Sequence, residues 1–269
     1  MASMKNAVIA FAALAAVGIA ASVFYNGKAV STDSKSLTKE DVQGIIKEWI
    51  LANPETIIES VNGMQKKQME EQFGKAKENI AKKKDEIFND AGSPVAGNPK
   101  GDVVLVEFFD YNCGYCKKAF TTVNKLIEDD KNLKVVFKEF PILSESSELA
   151  ARAALAVYSL DKAKYFDYHA ALMKFTGNKD EAKLLELAKD VGVDPDKLKA
   201  EMGKQEVKDA INRDRTLAQA LMIRGTPAFI IGDELIPGAI EFDALKAKIA
   251  AVRGGAKPAE APKEEEKKN

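Results

Sequence analysis

The sequence Val103-Val104-Leu105-Val106-Glu107-Phe108-Phe109-Asp110-Tyr111-Asn112-Cys113-Gly114-Tyr115-Cys116 joins an apolar run to a close pair of thiols. Val103 to Phe109 is continuously apolar except for Glu107, the pattern of a strand covered on both faces. Tyr115 to about Glu128 reads as a helix, and Leu133 to Phe140 as a second strand, which makes a βαβ unit. The cysteines therefore stand where a strand hands over to a helix. A thiol attacks disulfides only as its thiolate, and a helix N-terminus favours that anion through its unpaired N–H groups and positive dipole end. Cys113 is the expected attacking sulfur. Cys116, one turn into the helix, is expected to resolve the mixed disulfide.

The chain has 269 residues and only these two cysteines, so disulfides do not staple the fold. Two bland readings compete. Half a zinc site would need further ligands, and His169, the sole histidine, lies in the aromatic helical segment Tyr165-Phe166-Asp167-Tyr168-His169, where core packing is its ordinary use. A structural disulfide closing so short a loop would stabilise little. Lys and Arg number 40 against 41 acids, a net charge of −1, which lacks the basic excess of a nucleic-acid binder. Apolar and charged fractions of 46% and 30% are those of a globular protein.

Downstream, residues 144–221 read as helices throughout, with an Asp194-Pro195 helix start. Strand signals return at Ala228 to Ile231 and near Leu235-Ile236 around a Gly232-Asp233 turn, and a last helix spans about Phe242 to Val252. The expected fold class is α/β: a thioredoxin-like sheet with a large inserted helical domain, preceded by an N-terminal helical oligomerisation stalk. The domain, residues 91–253, begins in the turn clusters Ala91-Gly92-Ser93-Pro94 and Gly97-Asn98-Pro99-Lys100-Gly101. Residues 254–269, made only of Gly, Ala, Pro, Glu, Lys and Asn, are expected to be a disordered tail.

Upstream, Lys5 precedes an uncharged run from Asn6 to Gly27, read as a signal peptide or an uncleaved membrane anchor over residues 1–27. Either reading places the rest outside the cytosol. Residues 28–90 are a polar linker and then the stalk: Thr38 and Asp41 form a capping box, Asn53-Pro54 opens a second helix, and that helix is expected to run to about Phe88. Its later half carries Met69, Phe73, Ala76, Ile80 and Ile87 as a thin heptad-like stripe, with Lys83 at the skipped position. Self-association through the stripe is the expectation, and packing against its own domain is the alternative.

Phe108 to Cys116 resembles the active-site stretch of the DsbA-like thioredoxin superfamily, and the element order fits that family's fold. With Gly114-Tyr115 between the cysteines and Thr226 before Pro227, the chain is closest in type to the ScsC- and DsbC-like disulfide isomerases. The resemblance implies that Gly225-Thr226-Pro227-Ala228-Phe229 is the cis-proline loop facing the cysteines. It also implies that Glu107 is the family's buried acid and Lys138 the lysine that pairs with it, together a proton relay to Cys116. It implies no cofactor and no metal. The partners would be cysteine-containing exported clients, a membrane redox partner of DsbD or DsbB type, and further copies of the chain, in the periplasm. The oxidase DsbA usually has Pro-His between its cysteines. Tyr115 lacks that positive charge, so the expected activity is isomerising or reducing wrong disulfides. Dithiol oxidation is the alternative, and copper binding or chaperoning through the dithiol is the lesser one.

Overall fold

The computed structural model describes residues 37–255 and two short antiparallel strands before them, β1 (Phe24–Tyr25) and β2 (Lys28–Ala29). Apart from these strands and Gly254-Gly255, the expected signal or anchor segment, most of the linker and the tail lie outside the described residues. Among the described residues no helix is long and apolar enough to cross a membrane. The chain divides into two compact units, residues 1–64 and 65–269.

In the first unit, Thr38 caps α1 (Lys39–Ala52) by the anticipated capping box: its hydroxyl accepts the Asp41 N–H while the Asp41 carboxylate accepts its backbone N–H. Helix α2 (Pro54–Lys82) begins on its proline and continues into the second unit. No residue of α1 is buried, and Ile46, Trp49, Ile57 and Ile58 stand at least 40% exposed. A helix this apolar and this uncovered lacks the burial that ordinarily holds such a segment together.

The second unit is built on a five-stranded sheet ordered β3 (Val95–Gly97), β5 (Leu133–Glu139), β4 (Val103–Phe109), β6 (Ala228–Ile231), β7 (Glu234–Pro237). Strands β4 and β5 are parallel across helix α4 (Gly114–Asp129); the other neighbours are antiparallel. Helices α5 (Glu145–Leu160), α6 (Tyr165–Lys174), α7 (Glu181–Asp190), α8 (Pro195–Met202) and α9 (Gln205–Ala220) are inserted between β5 and β6, and α10 (Phe242–Arg253) closes the chain. Leu105, Phe109, Val135 and Phe137 face one apolar cluster with Cys116 and Phe120 of α4 and Leu245 of α10. Val106, Phe108, Val136 and Ile230 face a second cluster on the other side. Apolar residues on both parities of β4 are thus explained by cover on both faces. Edge strand β3 was not anticipated. It is three residues without periodicity inside a turn cluster, and it is a strand only because β5 offers it an edge.

The second cluster corrects the reading of the stripe. The helix breaks at Lys83, whose ammonium pairs with Glu86 at 2.8 Å, and α3 (Lys84–Phe88) turns Ile87 inward. Ala76, Ile80 and Ile87 are buried inside this chain, the two isoleucines against Val106, Phe108 and Leu221; only Met69 and Phe73 remain exposed. The sheet's second face needed a cover and the stripe supplies it, so these three residues are not free to pair between copies. Ile80→Asp is accordingly expected to destabilise the fold by about 4 kcal/mol or more, since it removes a fully buried side chain and buries a charge. A melting midpoint equal to that of the unmodified protein would contradict this packing.

Candidate active site

Strand β4 ends at Phe109, and a tight turn carries the chain into α4. The Asp110 carbonyl accepts the Cys113 N–H at 3.1 Å, while the Asp110 carboxylate accepts the N–H groups of Asn112, Ile142 and Leu143 at 2.7, 2.9 and 3.1 Å. Cys113 is the N-cap of α4, with extended backbone and no side-chain cap, so the helix leaves its first N–H groups beside the sulfur. Cys113 is 7% exposed and Cys116 is sealed at 0%; both are free thiols. Gly114 has open space around it, and Tyr115 stands 70% exposed.

The Thr226–Pro227 peptide bond is cis, and the Cys113 thiol points at the Thr226 carbonyl oxygen, 3.3 Å away. The Pro227 carbonyl is engaged by the Gly238 N–H at 2.8 Å. An apolar groove of about 450 Å³ opens beside this loop, walled by Met222 to Ala228, Leu235 and Pro237 and, on the other side, by Met69, Phe73 and Ala76 of α2. The exposed start of the stripe thus lies on the same groove as Thr226 and Pro227. Periodicity located those side chains but not what they would face. A larger cavity, about 640 Å³, lies around Lys138, Asp209 and Asp214 and has no cysteine in its lining.

Beneath the thiols, Glu107 is 1% exposed and its Oε1 has no hydrogen-bond partner. Burial alone pushes its pKa up to about 8. Burial also pushes the Cys116 thiol up; the Asp110 backbone opposes this, and charge on Glu107 or Cys113 adds to it. Each of these two groups is therefore sensitive to the other's proton.

Lys138 does not pair with Glu107. In the parallel ladder Glu107 stands opposite Phe137 and Phe108 opposite Lys138, so the acid and the lysine point to opposite faces of the sheet. Lys138, 1% exposed, instead donates to Asp90 at 2.9 Å and lies 3.3 Å from Asp214. Burial works against the Asp90 carboxylate, yet Lys138, the Gly92 N–H and the Ser93 hydroxyl together hold it below the usual value. Asp214, more deeply buried, is pushed up to about 6 despite Lys138. The expected lysine partner is therefore absent, while Glu107 itself is buried as expected.

Three sets of contacts were not read from the sequence, although His169 itself was expected in the core. His169 Nδ1 is 3.0 Å from the Tyr111 hydroxyl, and that hydroxyl donates to buried Glu139. The ring packs among Phe109, Phe137, Tyr165 and Phe166, and burial drives its pKa down to about 3, so it is a neutral core histidine. Asn112 donates to the hydroxyls of Ser144, Ser146 and Ser147 at the start of α5. Its Oδ1 accepts from Lys179, a buried lysine between α6 and α7. The only sequence signal for Asn112 was its place next to Cys113, and for Lys179 there was none.

Residues 104–250 match the family model of the DSBA-like thioredoxin domain, more than half of the chain. Disulfide bond formation protein D of Bacillus subtilis is 28% identical over 168 residues, which cover 59% of this chain and 76% of that protein. A thioredoxin-like oxidoreductase from Silicibacter pomeroyi DSS-3 is 44% identical with a TM-score of 0.61, over 64% of this chain and 98% of that one. Proteus mirabilis ScsC, in a linker-deleted variant, is 27% identical with a TM-score of 0.63, over 84% of this chain and 99% of that one.

Proposed function

The chain belongs to the DSBA-like thioredoxin family and is a thiol–disulfide oxidoreductase of DsbA/ScsC type, and we propose that it isomerises or reduces wrong disulfides in exported client proteins. The observation that carries the site assignment is the Cys113 thiol at a helix N-terminus, 3.3 Å from the Thr226 carbonyl, with Cys116 sealed behind it. The Cys113 thiolate attacks one sulfur of a client disulfide. That S–S bond breaks, a Cys113–client disulfide forms, and the other client sulfur leaves as a thiolate.

In isomerisation a client thiolate then attacks elsewhere and finally displaces Cys113, with no net electron transfer. In reduction the Cys116 thiolate attacks Cys113 Sγ, the client leaves reduced, and the enzyme keeps the Cys113–Cys116 disulfide for a membrane reductant of DsbD type. Cys116 must lose a proton to attack, and Glu107 is the buried group able to take it in the fraction of molecules where its carboxylate is ionised. The groove between α2 and the Thr226–Pro227 loop suits an apolar client segment flanking the cysteine.

Tyr115 brings no positive charge to the thiols, which makes the disulfide a weaker oxidant and the dithiol a better reductant of wrong disulfides. Exposed Ile46, Trp49, Ile57 and Ile58 support assembly of several copies around one client, in place of the stripe residues already used in the core. The periplasm is the compartment this reading requires. A dithiol oxidase is the second reading; the name of the Bacillus relative favours it.

Full-length protein and an Ile46→Asp/Ile58→Asp variant, offered a scrambled multi-disulfide substrate, test the proposal. The unmodified protein is expected to be oligomeric by light scattering and to restore activity to the substrate. The variant should be monomeric, oxidise dithiol peptides normally and fail on the scrambled substrate. Peptide oxidation without isomerisation by the unmodified protein would favour the oxidase, and a monomer would remove the assembly.

A further inference from the structure

Two lysines converge beside the active-site turn. Lys117 follows Cys116 on α4; its backbone N–H bonds the Cys113 carbonyl at 3.1 Å, so it lies one turn along from the thiol on the same helix face. Its ammonium donates to the Phe175 carbonyl at 2.7 Å. Lys179, 1% exposed, donates to Asn112 Oδ1 at 3.0 Å and approaches the same Phe175 carbonyl at 3.4 Å. Both ammoniums hold only neutral oxygens. Asp110 is the acid that acts on Lys179, and its carboxylate is already engaged by three backbone N–H groups. Lys183 also lies over the Phe175 ring, 5.4 Å from its centroid against 5.8 Å for Lys179, and pairs with Glu186. Positive charge is thus collected at Asn112, the residue before Cys113, and at the Phe175 carbonyl without a full counter-ion, at a cost in desolvation that a merely structural contact would not require.

We propose that Lys179 is a positioning residue of the exchange reaction: a buried cation from the helical insertion that anchors the active-site turn through Asn112 and favours the Cys113 thiolate. The inference rests on Cys113 being the attacking thiol. It gives the inserted helices a chemical part, because Lys179 from the α6–α7 connection and the three serines at the start of α5 grip the one residue between Tyr111 and Cys113. Burial lowers the Lys179 pKa to about 8, with Lys117 adding to the shift and Asp110 opposing it, so the ammonium is charged at neutral pH.

The test compares full-length protein with Lys179→Met, Lys179→Gln and Lys179→Arg. Gln removes the charge but keeps a donor for the Phe175 carbonyl, so it serves if Met does not fold. The measurements are the pH profile of ultraviolet thiolate absorbance, the iodoacetamide alkylation rate at pH 6, and the redox equilibrium with glutathione. For Met and Gln the thiolate profile should move to higher pH by about one unit, with alkylation about tenfold slower. The Cys113–Cys116 disulfide should become about tenfold harder to reduce, about 30 mV in potential. Arg should lie close to the unmodified protein.

Unchanged profiles in folded Met or Gln variants would overturn the inference, and so would equal shifts in Gln and Arg, which would mark a packing role. Alkylation that persists at the same rate in Cys113→Ser would instead overturn the assignment of the attacking thiol, whatever Lys179 does.

Discussion

Cys113→Ser is expected to reduce thiol–disulfide exchange to the uncatalysed background, while Cys116→Ser accumulates mixed disulfides with client proteins through Cys113. The asymmetry follows from position. Cys113 caps α4 at the mouth of the site, within 3.3 Å of the Thr226 carbonyl, and is the sulfur a client can meet. Cys116 is wholly buried and its thiol is held protonated by that burial, so it attacks only a disulfide already formed on its neighbour. A serine hydroxyl at 113 has no accessible anion near neutral pH and makes no disulfide. Non-reducing gels and mass spectrometry of trapped adducts read the result. Client adducts recovered mainly through Cys116 would reverse the two roles.

The two buried charges once expected to pair should respond in opposite directions. Glu107 titrates near 4.5 when unfolded and near 8 when folded, so the folded state holds the extra proton between those values. Stability therefore falls as pH rises from about 4.5 to about 8, by on the order of 3–5 kcal/mol once the carboxylate is ionised in both states. Glu107→Gln cannot ionise. It should match the unmodified protein near pH 5, exceed its stability at pH 9, and slow the step in which Cys116 displaces the client, because the proton acceptor is gone.

Lys138→Met should instead cost about 3–5 kcal/mol near neutral pH, since Asp90 and deeply buried Asp214 lose their cation. That loss should shrink below about pH 6, where Asp214 takes up a proton. Exchange by the folded Lys138→Met protein should stay normal, because the lysine faces the sheet surface away from the thiols. Chemical denaturation at pH 5, 7 and 9, with single-turnover reduction of a peptide disulfide, measures all of this. Equal pH dependence for Glu107→Gln and the unmodified protein would mean that Glu107 is not held protonated.

Much of this protein was legible along the chain because the signals are local. An apolar run leading to Cys113, a cap at Thr38, a proline opening α2 and a Gly232-Asp233 turn each depend on a few neighbouring residues, and each appears at its place. The thiol pair and the Thr226–Pro227 loop were equally plain, as short patterns whose chemistry is tied to their spacing. The family resemblance covered that same region.

Tertiary structure decided what depends on register and on cover. Whether Lys138 meets Glu107 is a matter of strand parity, and a shift of one residue between β4 and β5 carries a side chain to the other face. The stripe on α2 and α3 had two uses of equal periodicity, and the uncovered second face of the sheet took Ile80 and Ile87 for the core, with Ala76 buried beside the groove. Lys179 is sixty-six positions from Cys113 in the chain, in a polar loop that looks solvated, and only the docking of the inserted helices buries it against Asn112. By itself the sequence determined the redox pair and the elements that present it. Contacts between elements far apart in the chain determined which charges surround that pair, because burial and facing are properties of packed surfaces rather than of neighbouring residues.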